Sequence, residues 1–196
     1  MKLFSPLPSL NRLVHAALIG MMLVMSGCAT FREETCAQFE QRRKQTDYTT
    51  EYRFSEPDSE AASHNFKPMP RNAGAVVRLY KMRVDPREIK PCHDLTLRQE
   101  IYLQRAAGFN MTLEEVREFY ASNGALITSK TETLSDQLRT SGYYFGETPL
   151  PIPQHAPPGK YRVVSKLLMK MKNRNSRTVL LARTSASFQV LALNKK

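Results

Sequence analysis

Hydrophobic and polar positions alternate along much of the chain after residue 72. Leu95, Leu97, Gln99, Ile101 and Leu103 are interleaved with Thr96, Arg98 and Glu100, the period of two that a half-buried strand requires. Val76 to Val84 has the β-branched and aromatic content of a strand, and Asp85-Pro86 ends it. Thr112, with Glu115 three residues later, reads as a capping box ahead of Leu113, Val116, Phe119 and Tyr120. It predicts a helix of about ten residues closed by Asn123-Gly124. Strand-like segments return at Ala125 to Thr128 and around Tyr143 to Phe145. Pro149, Pro151, Pro153, Pro157 and Pro158 then exclude helix. After the Pro158-Gly159 turn, Tyr161 to Met171 and Thr178 to Leu193 read as a long terminal hairpin around Asn173-Arg174-Asn175-Ser176. Successive strands without βαβ alternation imply a mainly β, antiparallel sandwich with one short helix.

Upstream of residue 72 the pattern fades. Residues 28–71 are polar and broken by Pro57, Pro68 and Pro70, and read as a tether in which Phe31 to Gln45 forms a thin-faced helix carrying Cys36. At the very start, Lys2 and Arg12 precede an apolar run from Leu13 to Met25, with no acidic residue before Glu33. This order is that of an export signal, and the run is shorter than the roughly 20 apolar residues a membrane-spanning helix needs. The chain therefore divides into a signal at 1–27, a tether at 28–71 and one domain at 72–196.

Directly after the apolar run, Met25-Ser26-Gly27-Cys28-Ala29 resembles the lipobox of bacterial lipoproteins. The resemblance implies cleavage before Cys28, a diacylglyceryl group on that cysteine, and attachment to a membrane by the N-terminal lipid. Several acyl chains make such an anchor stable where one gives only marginal binding. Ala29 stands where an inner-membrane retention signal would have Asp, so the outer membrane, facing the periplasm, is the implied address.

With Cys28 committed to lipid, Cys36 and Cys92 remain, and an exported chain folds where disulfides persist. One bond between them is the economical expectation, worth about 4 kcal/mol in the chain-entropy model, against two unrelated buried thiols. No pair of Cys or His residues has zinc-ligand spacing, and no metal or cofactor is expected.

Ile152-Pro153, Pro157-Pro158-Gly159-Lys160-Tyr161-Arg162-Val163 and Ala186-Ser187-Phe188-Gln189-Val190 resemble the closing strands of bacterial immunoglobulin-like domains, without the buried Trp of antibody domains. Val76 to Tyr80 is similar to an early strand of the sandwich-shaped lipoproteins of type VI secretion systems. That likeness puts a secretion or surface-assembly subunit among the alternatives.

Charge sharpens the picture. Residues 148–196 contain no acidic residue and ten basic ones. Lys170, Lys172, Arg174 and Arg177 gather at the hairpin tip, and alternation sets Arg162, Lys166 and Lys170 on one strand face. Such a patch attracts an acidic envelope protein or an anionic glycolipid. It is equally what a solvated edge-protecting face looks like. No aromatic residues interleave the tip, which disfavours nucleic acid.

Nothing in the chain carries a nucleophile, base and orienting group in a known pattern, so no catalytic residue is assigned. An enzyme with a site assembled from distant residues is the remaining alternative. Cys92-His93-Asp94 reads as a turn beside a disulfide, and Glu114 with Glu115 as carboxylates in a helix's first turn. Tyr143-Tyr144-Phe145, flanked by Gly142 and Gly146, reads either as core or as a surface on which a sugar or peptide stacks. The reading is a lipid-anchored, non-catalytic binding or assembly module.

Overall fold

In the computed structural model, which describes residues 34–171 and 177–193, two β-sheets face each other. The strands are β1 (Glu51–Ser55), β2 (Ala75–Asp85), β3 (Glu88–Ile89), β4 (Asp94–Arg105), β5 (Met111–Tyr120), β6 (Leu126–Thr133), β7 (Gly142–Pro151), β8 (Gly159–Met171) and β9 (Arg177–Val190). One sheet runs β1-β7-β4-β2 and the other β3-β9-β8-β5-β6. All pairings are antiparallel except the short parallel contact of β3 with β9. The mainly β sandwich expected from the alternation is the fold, and β2, β4, β8 and β9 lie where the pattern set them.

Two expectations are corrected. Residues 112–120 are strand β5, not a helix: Met111, Leu113, Glu115 and Arg117 are all buried while the residues between them are less so. The capping-box motif loses because β5 sits between β6 and β8, where a full ladder of hydrogen bonds is available on both sides. Glu114 and Glu115 accordingly point to opposite faces.

The second correction concerns residues 35–71, which are not a tether, since the compact unit begins at Thr35. Helix α1 (Cys36–Gln45) starts with a capping box of its own, Thr35 with Gln38, and buries Phe39. β1 hydrogen-bonds along β7, and helix α2 (Glu56–Asn65) packs on the same strand. Phe66 then stacks on Tyr102 with ring centroids 4.9 Å apart. Pairing Tyr52 with Gly146 puts the tyrosine ring over a residue with no side chain; a Cβ there would lie 2.5 Å from the ring. A β-bulge at Arg78 turns that guanidinium onto the carbonyls of Lys67 and Pro68 at 3.2 and 3.1 Å, holding the crossing from α2 to β2.

The interior forms two apolar clusters. One gathers around Ile101, Leu103, Leu113, Leu167 and Tyr144, the other around Leu95, Leu97, Val163, Phe188 and Val190. Between them the inward positions of β4, β5 and β8 carry Gln99, Glu115 and Ser165, all buried. A polar layer therefore divides the core.

The disulfide joins Cys36 to Cys92. It ties α1 to the turn before β4, and the Arg42 to Asp94 ion pair at 2.7 Å reinforces the tie. Glu40 adds a third attachment, accepting the backbone N–H of Gln154 at 2.8 Å. The guanidinium of Arg43 beside Glu40, then that N–H, hold its carboxyl below the usual carboxylate range. Cys92 lies in the turn beside the disulfide at φ 62°, His93 follows it, and Asp94 already opens β4.

Candidate functional site

The sequence-predicted residues fall into three groups. Cys28, Lys172 and Arg174 lie outside the described residues, and so does the 1–27 segment. Of the rest of the basic patch, Lys170 is engaged by Glu114 at 2.7 Å and Lys166 by Glu118 at 2.5 Å, both carboxylates on β5. Lys166, followed by the Tyr120 hydroxyl, holds Glu118 below its ordinary range. Arg162 lies over the Tyr120 ring at 5.2 Å and has no carboxylate partner among the described residues. The β8 face is thus neutralised across the strand pair in two of its three positions. Arg177 remains exposed at the start of β9.

Tyr143, Tyr144 and Phe145 separate by strand alternation. Tyr144 is core, and its hydroxyl donates to Thr140 O at 2.8 Å. Tyr143 and Phe145 face outward with ring planes inclined at 45°, which is not a flat stacking platform. The Tyr143 hydroxyl is taken up by Glu100 at 2.8 Å, while Phe145 lines a shallow hollow with Thr49, Arg53 and Glu147.

The polar layer holds the most concentrated ionisable chemistry among the described residues, and the sequence reading missed it. Glu115 Oε1 accepts from the Gln99 amide and the Ser165 hydroxyl and lies 2.8 Å from the Tyr80 hydroxyl. The Tyr52 hydroxyl donates to Gln99 Oε1 at 2.9 Å and is 3.3 Å from Glu115 Oε2. Arg117, 1% exposed, pairs with Glu132, and its Nε is 3.8 Å from Glu115 Oε2. Glu132 also takes Lys130 at 3.2 Å and the Thr50 N–H at 3.0 Å. Two carboxylates thus meet two cations, and β1, β2, β4, β5, β6 and β8 all contribute. The signal available in the sequence was the opposite-charge pair Glu115 and Arg117 at i,i+2, continuing the face of Met111 and Leu113.

The layer is sealed: Glu115 and Ser165 have no exposed surface, so no substrate reaches the carboxylate. Burial, then the Glu115 carboxylate, pushes the Tyr52 and Tyr80 hydroxyls well above 10. Burial and the Glu100 hydrogen bond push Tyr143 up to about 12. Unfolded tyrosines lose their protons near pH ~10. Folded-state values raised above that preserve stability below about pH 10 and lose it as pH rises through the folded values. The urea midpoint is therefore expected to fall progressively above about pH 10, read by circular dichroism. A midpoint unchanged at about pH 11 would contradict these burials.

The open site is elsewhere. β1 covers β7 only over residues 143–147, so among the described residues no strand lies beside the Pro149–Pro151 end on that side. Across the gap stands the Leu126–Thr128 end of β6, the edge of the other sheet. A cleft of about 530 Å³ opens between them, within the range of small-molecule sites. Its floor is lined by buried residues of the second apolar cluster, Leu150, Ile152, Phe188 and Val190. The loop 152–158 forms one wall, with α1 behind it through Arg43. Ile127, the extra residue of a bulge opposite Phe119 and Tyr120, forms the other and is 54% exposed. Pro151, Pro153 and Pro157 supply no N–H, so these positions of the wall are poor in donors. Among the lining residues none is acidic, and Arg43, His155 and Arg162 are basic.

Among the described residues no His, Cys, Asp and Glu cluster is arranged to hold a metal ion, and no helix is long and apolar enough to cross a membrane. No family model and no curated protein matches the chain. Solved structures give distant likenesses. The C-terminal domain of Wzt is 12% identical, with a TM-score of 0.40, over 62% of this chain and 76% of that one. The Pseudomonas fluorescens alkylpurine DNA glycosylase AlkC, bound to DNA, is 13% identical, with a TM-score of 0.33 over 61% of this chain. A family 123 glycoside hydrolase from Clostridium perfringens is 12% identical, with a TM-score of 0.37 over 76% of this chain. The match spans 31% of the glycosylase and 28% of the hydrolase, less than a third of either. Likenesses at this level assign neither a family nor an activity to the chain.

Proposed function

We propose that this protein is a lipid-anchored envelope module that binds an apolar ligand and does no chemistry on it. The observation that carries the reading is the cleft, an opening of about 530 Å³ onto the apolar core. Ile127, 54% exposed on one wall, would be covered by a ligand seated in the cleft, and removing apolar surface from water is favourable by about 25 cal/mol per Å². The concentrated carboxylate network is closed inside the polar layer, and the cleft lining holds His155 with no carboxylate beside it, which supports binding over catalysis. The membrane address rests on Leu13 to Met25 and the Met25-Ser26-Gly27-Cys28 sequence.

Two measurements test the halves separately. An alkynyl palmitate fed to cells is expected to label the wild-type chain and not Cys28→Ala. For the cleft, N-phenyl-1-naphthylamine should bind the full-chain protein saturably with enhanced fluorescence. Ala156→Trp, which puts an indole into the loop wall, should weaken that binding at least tenfold while leaving the thermal midpoint within a few degrees. Equal binding by the variant sinks the cleft as the site.

A further inference from the structure

The cleft has a chemistry at its mouth as well as in its interior. Its floor is apolar, while Arg43, His155 and Arg162 stand among the lining residues and no carboxylate does. These basic side chains are not equivalent. Arg43 is spent on Glu40, with its Nη2 at 2.8 Å and Nε at 3.1 Å from one carboxylate oxygen. His155 is exposed on the loop.

Arg162 differs from its neighbours on the same strand face. The register places Lys170 and Lys166 diagonally from Glu114 and Glu118 on β5, and each lysine finds that carboxylate. At the third position the diagonal place falls at Ser122, past the end of β5, and Arg162 is paired directly with Tyr120 instead, so the guanidinium rests on a ring face and its fork of donors has no carboxylate partner among the described residues. That position is also the one at which the strand pair reaches the cleft, where Tyr120 and Arg162 both line it. A guanidinium held by stacking and left without a carboxylate is suited to bidentate capture of a carboxylate or phosphate.

We infer that the cleft takes a single-chain anionic amphiphile: an acyl chain lies along Leu150, Ile152 and Phe188 beneath Ile127, and its carboxylate or phosphate head meets Arg162. This deepens the binding-module reading and rests on it. The donor-poor proline wall suits the chain, which asks for no hydrogen bonds, and the charge at the mouth suits the head. The chain enters and leaves by burial and ion pairing, with no covalent step.

The test uses the full-chain protein in its own membranes and two photoreactive probes of equal length, a diazirine palmitic acid and the corresponding diazirine hexadecanol. The acid is expected to label the peptide spanning residues 150–162, to be displaced by excess palmitate, and to exceed the alcohol about tenfold, equivalent to ~1.4 kcal/mol. Arg162→Gln should remove that preference while keeping the alcohol's labelling. Equal labelling by acid and alcohol in the wild type overturns the anionic ligand and leaves the apolar-binding reading standing. Labelling of these residues by neither probe overturns both. Labelling that arises only in Cys28→Ala overturns the inference in favour of the chain's own N-terminal lipid as occupant.

Discussion

Arg117→Ala is expected to cost about 3–5 kcal/mol of folding stability, a large part of the ~5–15 kcal/mol that holds a domain of ordinary size together. The cost arises because Arg117 is 1% exposed and lies between two carboxylates, Glu115 and Glu132. Truncation leaves Glu132 with Lys130 and leaves Glu115 as a charge in the core, with hydrogen bonds and no nearby cation. Pairing Arg117→Met with Glu115→Gln removes one charge of each sign and retains an amide oxygen for Tyr80 and Ser165. That double variant should recover most of the loss. The comparison is made by urea unfolding, with ΔG taken from the midpoint at constant slope. Equal destabilisation by Arg117→Met alone and by the double variant would mean that the unpaired Glu115 charge does not govern the layer.

Removing the disulfide has the next largest expected effect. Cys36→Ser with Cys92→Ser opens a link between residues 56 apart in sequence. The chain-entropy model puts its contribution at about 4 kcal/mol. The loss should reach beyond stability, because α1 carries Glu40, which holds the Gln154 N–H, and Arg43, which lines the cleft. The Arg42 to Asp94 pair is exposed and compensates little. Amide exchange should therefore accelerate first in residues 36–45 and 152–158, ahead of β4 and β8. Uniform acceleration across both sheets would contradict the view of α1 as a brace for the loop.

How much of this was legible in the sequence depended on whether burial and apolarity coincided. In β4 they do: Leu95, Leu97, Ile101 and Leu103 are buried, and one polar interruption at Gln99 left the period readable. β8 and β9 read for the same reason. In β5 the two central inward positions are Glu115 and Arg117, so the apolar residues that remain, Leu113, Val116, Phe119 and Tyr120, fall by accident into a helical spacing. The charges that hide β5 from its pattern are those that complete the polar layer. β1 escaped because an edge strand of five residues buries little more than Tyr52, and α2 because Ala62 is its buried residue.

The candidate site was hidden for another reason. Its lining comes from α1, β5, β6, β7, β8, β9 and the 152–158 loop, and no spacing along a chain announces such a convergence. The prolines from 149 to 158 excluded helix, and their second consequence, a wall poor in N–H groups, follows only once β7 is known to lack a neighbour there. The basic patch shows the opposite failure. Absence of acid from residues 148–196 suggested an uncompensated face, whereas the compensating Glu114 and Glu118 come from β5, on the adjacent strand. Local composition could not register partners 48 or more residues away. What survives of the patch among the described residues is narrower: Arg162 at the cleft and Arg177 at the start of β9.

The measurement that tests the central claim most directly is native mass spectrometry of the protein released gently from its own membranes, compared with Ala156→Trp. The account predicts a non-covalent adduct of one acyl-chain amphiphile on the wild type, lost on collisional activation and missing from the variant. A wild-type protein without an adduct, or an adduct retained undiminished by Ala156→Trp, would contradict it.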